Sequence, residues 1–363
     1  MKIGIDYREA ISSNKAGKGT VVFEVVEQWK KIVSNDEVWL VSDQDFDMSG
    51  FPKNFHKIVL VGWGKFWHLR VIWEVWFNFD RYLSMTSYIV PWLSFSEKCI
   101  LMVHDLVSFH KEYARKHNVK AKTFEKFSLK GAVNNSRAVI VPSECTKRDL
   151  IDIVGAEKSK IKLIYEGVNI FQGMVDVERV KNSFGIEGEY IYFVGTLEPR
   201  KNLKKLLLAF SELKLDIHWE GKLVISGGKG WYYQELFELV EEYGITGEVI
   251  FTGYVDDEEK FSLLKGAKCF YFVSLYEGFG LPILEAMQMG VPVITSNVSS
   301  MPEIAGKAAL LVSPDSVAQI KGGLRELITN EEFASGLVSK GYKRVEEFDW
   351  QRAAKQIYEI VKS

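Results

Sequence analysis

Several residue types and patterns that define particular protein classes are scarce in this sequence. The chain has three cysteines, and they are widely separated and odd in number, so no disulfide framework is predicted. No group of cysteines and histidines has the spacing of a zinc site. No run of about 18 apolar residues is free of charge, so a transmembrane helix is not predicted. The net charge of −2 creates no global field that would recruit nucleic acid, and no nucleic-acid partner is expected.

The composition is otherwise that of an ordinary globular protein. Hydrophobic residues make up 47% of the chain and charged residues 26%, which allows substantial cores and argues against disorder. With 363 residues, a prior of about 150 residues per domain predicts two domains. The first residues, Met1–Asp6, are typical of a strand and not of a signal peptide, so a cytoplasmic protein is expected.

Short apolar runs alternate with longer segments of helical periodicity. In Thr20–Val33, for example, valines and Trp29 recur on one helical face. The alternation is typical of parallel sheets with crossover helices and predicts an α/β fold. The predicted strands of the first half are Lys2–Asp6, Val38–Ser42, Lys57–Val61, Lys98–Val103, Ala138–Val141 and Ile161–Tyr165. Those of the second half are Tyr190–Val194, Lys222–Ser226, Glu248–Phe251, Lys268–Val273, Val291–Thr295 and Ala308–Val312.

The strand pattern weakens after Glu166. Residues Gly167–Gly188 contain four glycines and many charges, and we interpret them as the connection between two α/β domains. The predicted domains are residues 1–170 and 171–348, with a final amphipathic helix in 349–363 that packs back on the first domain. Because open parallel sheets bind ligands at the carboxyl ends of their strands, the segments after the strands are the candidate sites.

The most informative of these segments is 274–290. Glu277 lies in a loop with Gly280 and a second glycine, which let the backbone approach a ligand closely. Pro282 suits the first turn of a helix, so Glu285 is predicted on a helix whose N-terminus opens toward the loop. Such a terminus suits phosphate, and the two carboxylates could hold hydroxyl groups on either side of a diphosphate. A capping loop with one solvated glutamate is the alternative.

The same segment carries a family resemblance. Its sequence Glu-Gly-Phe-Gly-Leu-Pro-Ile-Leu-Glu, followed by Gly-Val-Pro-Val-Ile-Thr-Ser-Asn, resembles the signature of family 4 of the retaining glycosyltransferases. That family has the GT-B fold, in which two Rossmann-like domains with parallel sheets face each other across a cleft. The resemblance implies that Glu277 contacts the transferred sugar and Glu285 the nucleotide ribose. The donor-binding residues that it implies here are Glu277, Gly278, Phe279, Gly280, Leu281 and Glu285.

A basic turn follows the strand Tyr190–Val194. Gly195 permits a sharp turn, and Arg200 and Lys201 are neighbours where the loop becomes a helix. The planar fork of arginine and the point charge of lysine suit two phosphates, whereas a solvated basic pair is the alternative. The segment resembles the family's diphosphate-binding loop, which implies donor-binding roles for Gly195, Arg200 and Lys201. Thr196 stands where many relatives carry an arginine, and the variant resembles members that often use GDP-mannose.

Two further segments of the second half resemble the family. Ser226–Gly230 is a glycine-rich turn without the Gly-Lys-Ser/Thr ending of a Walker sequence, and a plain turn is the alternative. Tyr254 and Val255 follow the next strand and resemble the segment whose backbone lines the base pocket. We therefore predict that Tyr254 and Val255 contact the nucleotide.

The first half carries two segments of the same kind. Gly17 and Gly19 lie between the first strand and its helix, where relatives have a glycine turn that reaches the diphosphate, with Thr20 here in place of an arginine. His104 ends the apolar run Ile100–Val103, and by itself such a histidine is more often a packing or hydrogen-bonding residue. The segment resembles one whose histidine faces the transferred sugar and the acceptor, which implies a catalytic role for His104.

An acidic loop raises the question of a metal. Asp43, Asp45 and Asp47 form two Asp-Xaa-Asp spacings, which glycosyltransferases of another fold use to hold a metal ion. Here they follow an early strand in a polar loop without that context, and we interpret them as solvated. We predict no metal and no cofactor, because the nucleotide-diphosphate sugar is a donor substrate.

The stretch Gly62–Phe95 is rich in tryptophan and phenylalanine. A helix packed on the first sheet accounts for most of this pattern. Since tryptophan favours membrane interfaces, a membrane-surface or lipid-acceptor face is the alternative, and it would give the protein a peripheral membrane association.

The resemblance runs through most of the chain and implies a retaining, metal-independent hexose transfer, with mannose or glucose favoured, to a glycan or lipid-linked acceptor. In the implied mechanism Arg200 and Lys201 stabilise the leaving diphosphate, Glu277 fixes the sugar, and His104 orients sugar and acceptor. A nucleotide-sugar-binding subunit without turnover is one alternative, favoured by the two missing arginines. A phosphorylase or epimerase of the same fold is the other.

Overall fold

The computed structural model describes residues 1–11, 17–110, 119–230 and 233–363. They form two compact units, one made of Met1–Gly167 with Asp349–Ser363 and the other of Val168–Phe348. The strands are β1 (Lys2–Asp6), β2 (Glu37–Ser42), β3 (Phe55–Val59), β4 (Arg81–Ser84), β5 (Cys99–Met102), β6 (Ala138–Val141), β7 (Ile161–Leu163), β8 (Tyr190–Val194), β9 (Lys222–Ser226), β10 (Val249–Gly253), β11 (Cys269–Phe272), β12 (Val293–Ser296) and β13 (Leu310–Val312). The α-helices are α1 (Lys18–Ile32), α2 (Trp67–Phe77), α3 (Ile89–Ser94), α4 (Val119–Asn135), α5 (Glu144–Asp149), α6 (Val177–Ser183), α7 (Leu203–Ile217), α8 (Gln234–Glu242), α9 (Asp257–Gly266), α10 (Leu281–Gln288), α11 (Met301–Ala305), α12 (Val317–Thr329), α13 (Glu331–Val345) and α14 (Trp350–Lys362).

The first unit is built on a parallel sheet in the order β3-β2-β1-β4-β5-β6-β7. Alternate side chains of β5 point to opposite faces of this sheet. Ile100 and Met102 pack with α1 and α14 on one face. On the other face, Cys99 packs with α2 and α3, and Leu101 packs with α4. The helices α2, α3 and α4 therefore cover one face of the sheet, and α1 and α14 cover the other.

The final helix α14 belongs to the first unit although it follows the second unit in the chain. Its buried residues Ala353, Ala354 and Ile357 face α1 in the core of the first unit. The indole Nε1 of Trp29 in α1 donates a hydrogen bond of 2.9 Å to the carbonyl of Ala354. The chain thus returns to the first unit through a packed helix.

The second unit is built on a parallel sheet in the order β10-β9-β8-β11-β12-β13. This is the strand order of a Rossmann fold, in which the order reverses between the first and the fourth strand. The reversal lies between β8 and β11, so the loops after these two strands meet at the carboxyl edge of the sheet. The α/β prediction is confirmed, with a Rossmann-like sheet in each unit.

Two predictions made from the sequence need correction. The four-residue strand β4 was missed, since it lies inside the aromatic stretch that we assigned to one helix, and that stretch contains α2, β4 and α3. The segment read as a connection contains α6, whose N-cap Asp176 accepts a hydrogen bond from the backbone N–H of Arg179. Its charges are those of a capped helix and not of a linker.

None of the helices in the described ranges combines the length and the apolar character needed to span a bilayer.

Candidate active site

Two loops meet at the carboxyl edge of the second sheet, one after β8 and one after β11. Gly195 turns the chain directly after β8 with φ of +153°, a conformation that favours glycine. A 3-10 turn, Pro199–Lys201, follows it. The backbone N–H of Leu275, in the loop after β11, donates to the carbonyl of Arg200 at 2.7 Å. The strand order thus brings together two segments that are more than 70 residues apart in sequence.

Glu277 lies at the centre of this site and contacts both predicted phosphate-binding side chains. Its Oε1 is 2.6 Å from Nζ of Lys201, and its Oε2 is 2.5 Å from Nη1 of Arg200. Lys201 and Glu277 are buried, with 6% and 8% of their surface exposed. Nε of Arg200 binds the carboxylate of Glu198 at 2.6 Å. Four charged side chains therefore form one network of two acids and two bases.

The network fixes the charge of Glu277. Burial by itself would raise the pKa of this carboxyl, but the charges of Lys201 and Arg200 outweigh it and hold the pKa below its usual value. Burial lowers the pKa of Lys201, and repulsion from Arg200 acts in the same direction against the attraction of Glu277. Glu277 is therefore an anion at neutral pH whose two oxygens are both held by cations. Such a carboxylate is suited to accept hydrogen bonds from hydroxyl groups and is a poor nucleophile.

Two serines that the sequence analysis did not single out hold the Glu277 loop. Ser299 Oγ accepts from the backbone N–H of Glu277 at 3.0 Å and lies 2.7 Å from its carbonyl. Ser300 Oγ lies 2.9 Å from the same carbonyl and 2.6 Å from that of Phe279. Both serines lie in the loop that follows β12, the strand next to β11 in the same sheet. That position was the signal from which they could have been predicted. Glu198 was missed although it is two residues from Arg200.

Glu285 lies on α10, as predicted, but it does not join the Glu277 network. Its Oε1 is 3.0 Å from Nζ of Lys260 on α9, which also binds Asp257 at 3.1 Å. Burial disfavours the charge of Lys260, but Glu285 and Asp257 outweigh it and raise the pKa of this lysine. Gly280, with φ of +120°, is the N-cap of α10. The described residues provide no side-chain cap there, so the helix N-terminus opens with backbone groups alone.

The remaining predicted donor residues lie around this edge or within the loop. Gly278, Phe279 and Gly280 are buried, and Leu281 is partly buried. Tyr254 follows β10 with an exposed side chain, whereas Val255 is buried. The Ser226–Gly230 turn packs on the loop after β8, because the backbone N–H of Leu197 donates to the carbonyl of Gly228 at 3.0 Å. A Cβ added to Gly227 would lie 1.9 Å from the carbonyl oxygen of Gly195.

The other predicted residues belong to the first unit. Gly17 is the N-cap of α1 with φ of +51°, and a Cβ on Gly19 would lie 2.5 Å from the carbonyl oxygen of Glu9. Both ring nitrogens of His104 lie beside oxygen atoms of the protein. Nε2 is 2.8 Å from the carbonyl oxygen of Met85, and Nδ1 is 3.3 Å from Glu166 Oε1. Each ring nitrogen therefore already has a hydrogen-bond partner within the protein. A sugar hydroxyl that binds a nitrogen of His104 must therefore replace one of these partners.

A further polar cluster, not anticipated from the sequence, lies where the strand order of the first sheet reverses. Asp6 is fully buried at the end of β1 and binds Arg8 through Nη2 at 2.7 Å and Nε at 3.0 Å. Thr86 Oγ1, after β4, donates to the same carboxylate at 2.9 Å. The guanidinium of Arg8 lies 3.6 Å from the ring centroid of Trp67. This cluster places a rigid cation at the edge where Rossmann-like sheets bind ligands.

The acidic loop after β2 forms ordinary surface contacts. Asp45 Oδ1 is 2.6 Å from Nζ of Lys57, and Asp47 accepts from the backbone N–H of Ser49 at 2.8 Å. Within the described ranges, no group of three His, Cys, Asp or Glu side chains is arranged to hold a metal ion.

The second unit is a Rossmann-like sheet of the α/β class, with a buried carboxylate, paired cations and an open helix N-terminus at its switch point, which is where such sheets bind ligands. Sequence comparison identifies the family within that class. The profile described as "Glycosyl transferases group 1" matches residues 175–344, and that of "Glycosyltransferase Family 4" matches residues 16–171. The chain is 30% identical over 265 residues to the O-antigen chain mannosyltransferase B of Escherichia coli, covering 72% of this chain and 69% of that protein. The chain therefore belongs to the group 1 glycosyltransferases.

Other comparisons agree on the family and the fold. The serotype-specific mannosyltransferase WbdA of Escherichia coli is 26% identical over 285 residues, which cover 76% of this chain and 34% of WbdA. Sucrose-phosphate synthase from Thermosynechococcus elongatus has a TM-score of 0.79 at 18% identity, covering 100% of this chain and 98% of that one. Anabaena HepE, solved with UDP and glucose, has a TM-score of 0.78 at 17% identity, covering 100% and 99%. The GT-B assignment is confirmed by these structures.

Proposed function

We propose that this protein transfers mannose, with retention of the anomeric configuration, from a nucleotide-diphosphate donor to a glycan or lipid-linked acceptor. The contact of Glu277 with both Lys201 and Arg200 at the switch point carries the proposal. A lysine ammonium has three donors, so Lys201 can keep its contact with Glu277 and still bind a phosphate oxygen. The planar guanidinium of Arg200 places a second positive charge beside it. Glu277 then has lone pairs for sugar hydroxyls beside the diphosphate.

The proposed reaction needs no covalent intermediate with the protein. The bond between the anomeric carbon and the diphosphate oxygen breaks, and the acceptor oxygen bonds to that carbon on the same side. The acceptor proton passes to the leaving diphosphate, whose charge is stabilised by Arg200, Lys201 and the N-terminus of α10. Glu277 orients the sugar, Glu285 the ribose, and His104 orients sugar and acceptor. No step in this scheme requires a metal ion.

The choice of mannose rests on the relatives. Two of the proteins that this chain resembles in sequence are named as mannosyltransferases. Their names give the sugar, and the resemblance of the loop with Arg200 and Lys201 to members that often use GDP-mannose supports the base. We therefore propose GDP-mannose as the donor. HepE was solved with UDP, but at 17% identity its similarity to this chain supports only the fold. It therefore does not indicate which nucleotide base the donor of this chain carries.

Calorimetric titration in EDTA tests the donor site. Purified protein is titrated with GDP, UDP and ADP and with their mannose and glucose conjugates. We expect saturable binding of GDP and GDP-mannose, reduced by at least about tenfold in Lys201→Met, because one charged contact to phosphate is worth more than about 1.4 kcal/mol. Lys204→Met is the matched control, since Lys204 lies three residues away and its side chain is 49% exposed in a pair with Glu235.

Turnover separates the transferase from its nearest alternative. Release of GDP from GDP-mannose is measured with octyl α-mannoside as a trial acceptor, and the product anomer is read by NMR. A binding subunit without turnover is favoured by the network itself, because Glu198 and Glu277 already balance the charges of Arg200 and Lys201. Donor binding without GDP release on any acceptor would support that alternative. A product of inverted configuration, or turnover abolished by EDTA and restored by Mg²⁺, would contradict the proposed mechanism.

A further inference from the structure

Helix α2 is apolar on both of its faces. Trp67, Val71 and Val75 pack against the first sheet. The opposite face and the residue just before the helix carry large apolar side chains that are between 46% and 67% exposed, namely Phe66, Leu69, Trp73, Trp76 and Phe77. A helix that is apolar all round is normally buried on every side. We call these outward residues the α2 face. Within the described parts of the chain, no element covers them, although their apolar character is typical of a buried surface.

The α2 face is an ordered surface. The indole Nε1 of Trp76 donates to the carbonyl of Ser94 at 2.8 Å, which leaves its ring half-exposed with its polar atom satisfied. The rings of Trp73 and Phe77 lie 5.4 Å apart. The guanidinium of Arg70 lies 4.5 Å from the centroid of Trp73 and binds Glu74 at 2.5 Å. These contacts hold the aromatic rings in place instead of letting them fold back onto the protein.

Exposed aromatic side chains continue onto the neighbouring helices of the same sheet face. Phe95 follows α3 and is 77% exposed. Phe124 and Phe127 on α4 are also exposed, and the ring of Phe124 lies 5.5 Å from that of Trp92 on α3. An apolar area of this extent marks an interaction site in a folded protein.

The charge of the surrounding chain selects the partner. Residues 61–98 and 119–135 together contain eight Lys or Arg and four Asp or Glu, whereas the whole chain has 46 and 48. Lys126 and Lys130 on α4 are exposed between and beside the two phenylalanines. An anionic partner is therefore favoured. A second copy of this chain would bring the same cations face to face in a two-fold dimer.

We propose that the α2 face, with Phe95, Phe124 and Phe127, docks the protein on an anionic lipid membrane. A half-exposed tryptophan whose indole N–H is hydrogen-bonded, such as Trp76, suits the interface between lipid headgroups and acyl chains. The adjacent lysines face lipid phosphates, and the combination of an apolar face with a basic border is that of a surface-bound helix. This inference does not depend on the proposed transfer reaction, because it concerns binding to lipid alone.

Vesicle flotation tests the proposal on the full chain. The vesicles contain phosphatidylcholine with one quarter phosphatidylglycerol, or phosphatidylcholine alone, in 0.1 M salt. We expect the protein to float with the anionic vesicles and much less with the neutral ones. The double variant Trp73→Gln/Phe77→Gln should lower the bound fraction at least about tenfold, since each ring contributes more than one factor of ten when buried in lipid. Lys126→Glu/Lys130→Glu should also weaken binding, and added salt should have little further effect on that variant.

The matched control is Ile170→Gln/Leu215→Gln. It replaces two apolar side chains of the second unit that are more exposed than Trp73 and Phe77. We expect it to float like the unchanged protein. Thermal melting by circular dichroism checks that every variant folds. Three results would overturn the proposal: no flotation of the unchanged protein, equal flotation of Trp73→Gln/Phe77→Gln, or a dimer in light scattering that this variant converts to a monomer without any vesicle binding.

Discussion

At the scale of single residues, replacing Glu277 with glutamine removes the negative charge and keeps nearly the same shape. In Glu277→Gln the ammonium of Lys201, which is 6% exposed, keeps its burial and loses its counter-charge. We expect the free energy of unfolding at neutral pH to fall by roughly 3 kcal/mol, the usual effect of leaving one member of a buried ion pair. Urea unfolding followed by far-ultraviolet circular dichroism measures it. Donor binding should weaken in the same variant.

The pH dependence of this difference follows from the lowered pKa of Glu277. The folded carboxyl has a pKa below its usual value of 4.5, so the unfolded chain takes up the proton first as the pH falls. The stabilisation is therefore complete above 4.5 and is lost as the pH falls through the folded pKa. The difference in the free energy of unfolding between the unchanged protein and Glu277→Gln should be constant from pH 7 to 5 and should become smaller below that range.

A matched substitution separates this effect from a general loss of charge. Glu235→Gln removes the partner of Lys204 in a pair whose side chains are 43% and 49% exposed. An exposed pair contributes at most about 1 kcal/mol, so its removal should change stability little at any pH. Equal effects of the two substitutions on the free energy of unfolding would show that burial of the Glu277 network does not strengthen its contribution to stability.

At the scale of elements, the Ser226–Gly230 turn supports the loop after β8 through backbone contact. Gly227 has φ of +143°, and its added Cβ would lie 1.9 Å from the carbonyl oxygen of Gly195. We expect Gly227→Ala to destabilise the protein by about 3 kcal/mol through strain and contact with the backbone. It should also weaken donor binding, because the Gly195 turn positions Arg200 and Lys201. Urea unfolding and calorimetry with GDP are the measurements.

The neighbouring Gly228 provides the control for that substitution. A Cβ added there meets no atom within 4 Å, so Gly228→Ala should leave stability within about 0.5 kcal/mol and keep GDP binding. If both variants had the same urea midpoint, the close approach of the two turns would not constrain the loop. Loss of GDP binding in Gly228→Ala alone would place the ligand nearer to that glycine than to Gly227.

Local sequence signals were sufficient for most elements and failed where two signals overlapped. Runs such as Tyr190–Val194 and Lys222–Ser226 were predicted with the bounds that the structure has, because β-branched and aromatic residues there are bordered by turn residues. The strand β4 is as apolar as its surroundings, and no change of period marked it. Asp176 and Glu178 signalled the start of α6, but charges beside glycines were read as a linker.

The residues of the candidate site could be predicted from the sequence, whereas the contacts between their side chains could not. The order of the strands brings the loops after β8 and β11 together, so Arg200, Lys201 and Glu277 meet as the topology requires. That Glu285 binds Lys260 depends on side-chain placement between α9 and α10, which no local pattern records. The two sides of α2 illustrate the same limit. Its tryptophans predicted burial or a membrane surface, and only the packing of Trp67 and the exposure of Trp73 distinguish the two sides.

At the scale of the whole molecule, the proposed donor site and the proposed membrane surface belong to separate units of the chain. The Glu277 network belongs to the unit Val168–Phe348, whereas the α2 face and the Arg8 cluster belong to the unit that contains α14. A lipid-linked acceptor would need both functions in one protein. The two proposals can fail independently, since lipid binding requires no nucleotide and nucleotide binding requires no lipid.

This division predicts how a nucleotide changes the exchange of backbone amides. A ligand that binds the folded loops slows only the openings that would release it. At GDP concentrations near 100 times the dissociation constant, exchange through such openings should slow by up to about a hundredfold. Hydrogen–deuterium exchange with mass spectrometry should show this protection in residues 194–203 and 273–288, with none in the β2–β3 segment of the first unit. Lys201→Met should lose the protection at the same GDP concentration. Equal protection of β2–β3 would mean instead that the two units open as one cooperative body, and the donor loops would then not be a separate element of stability.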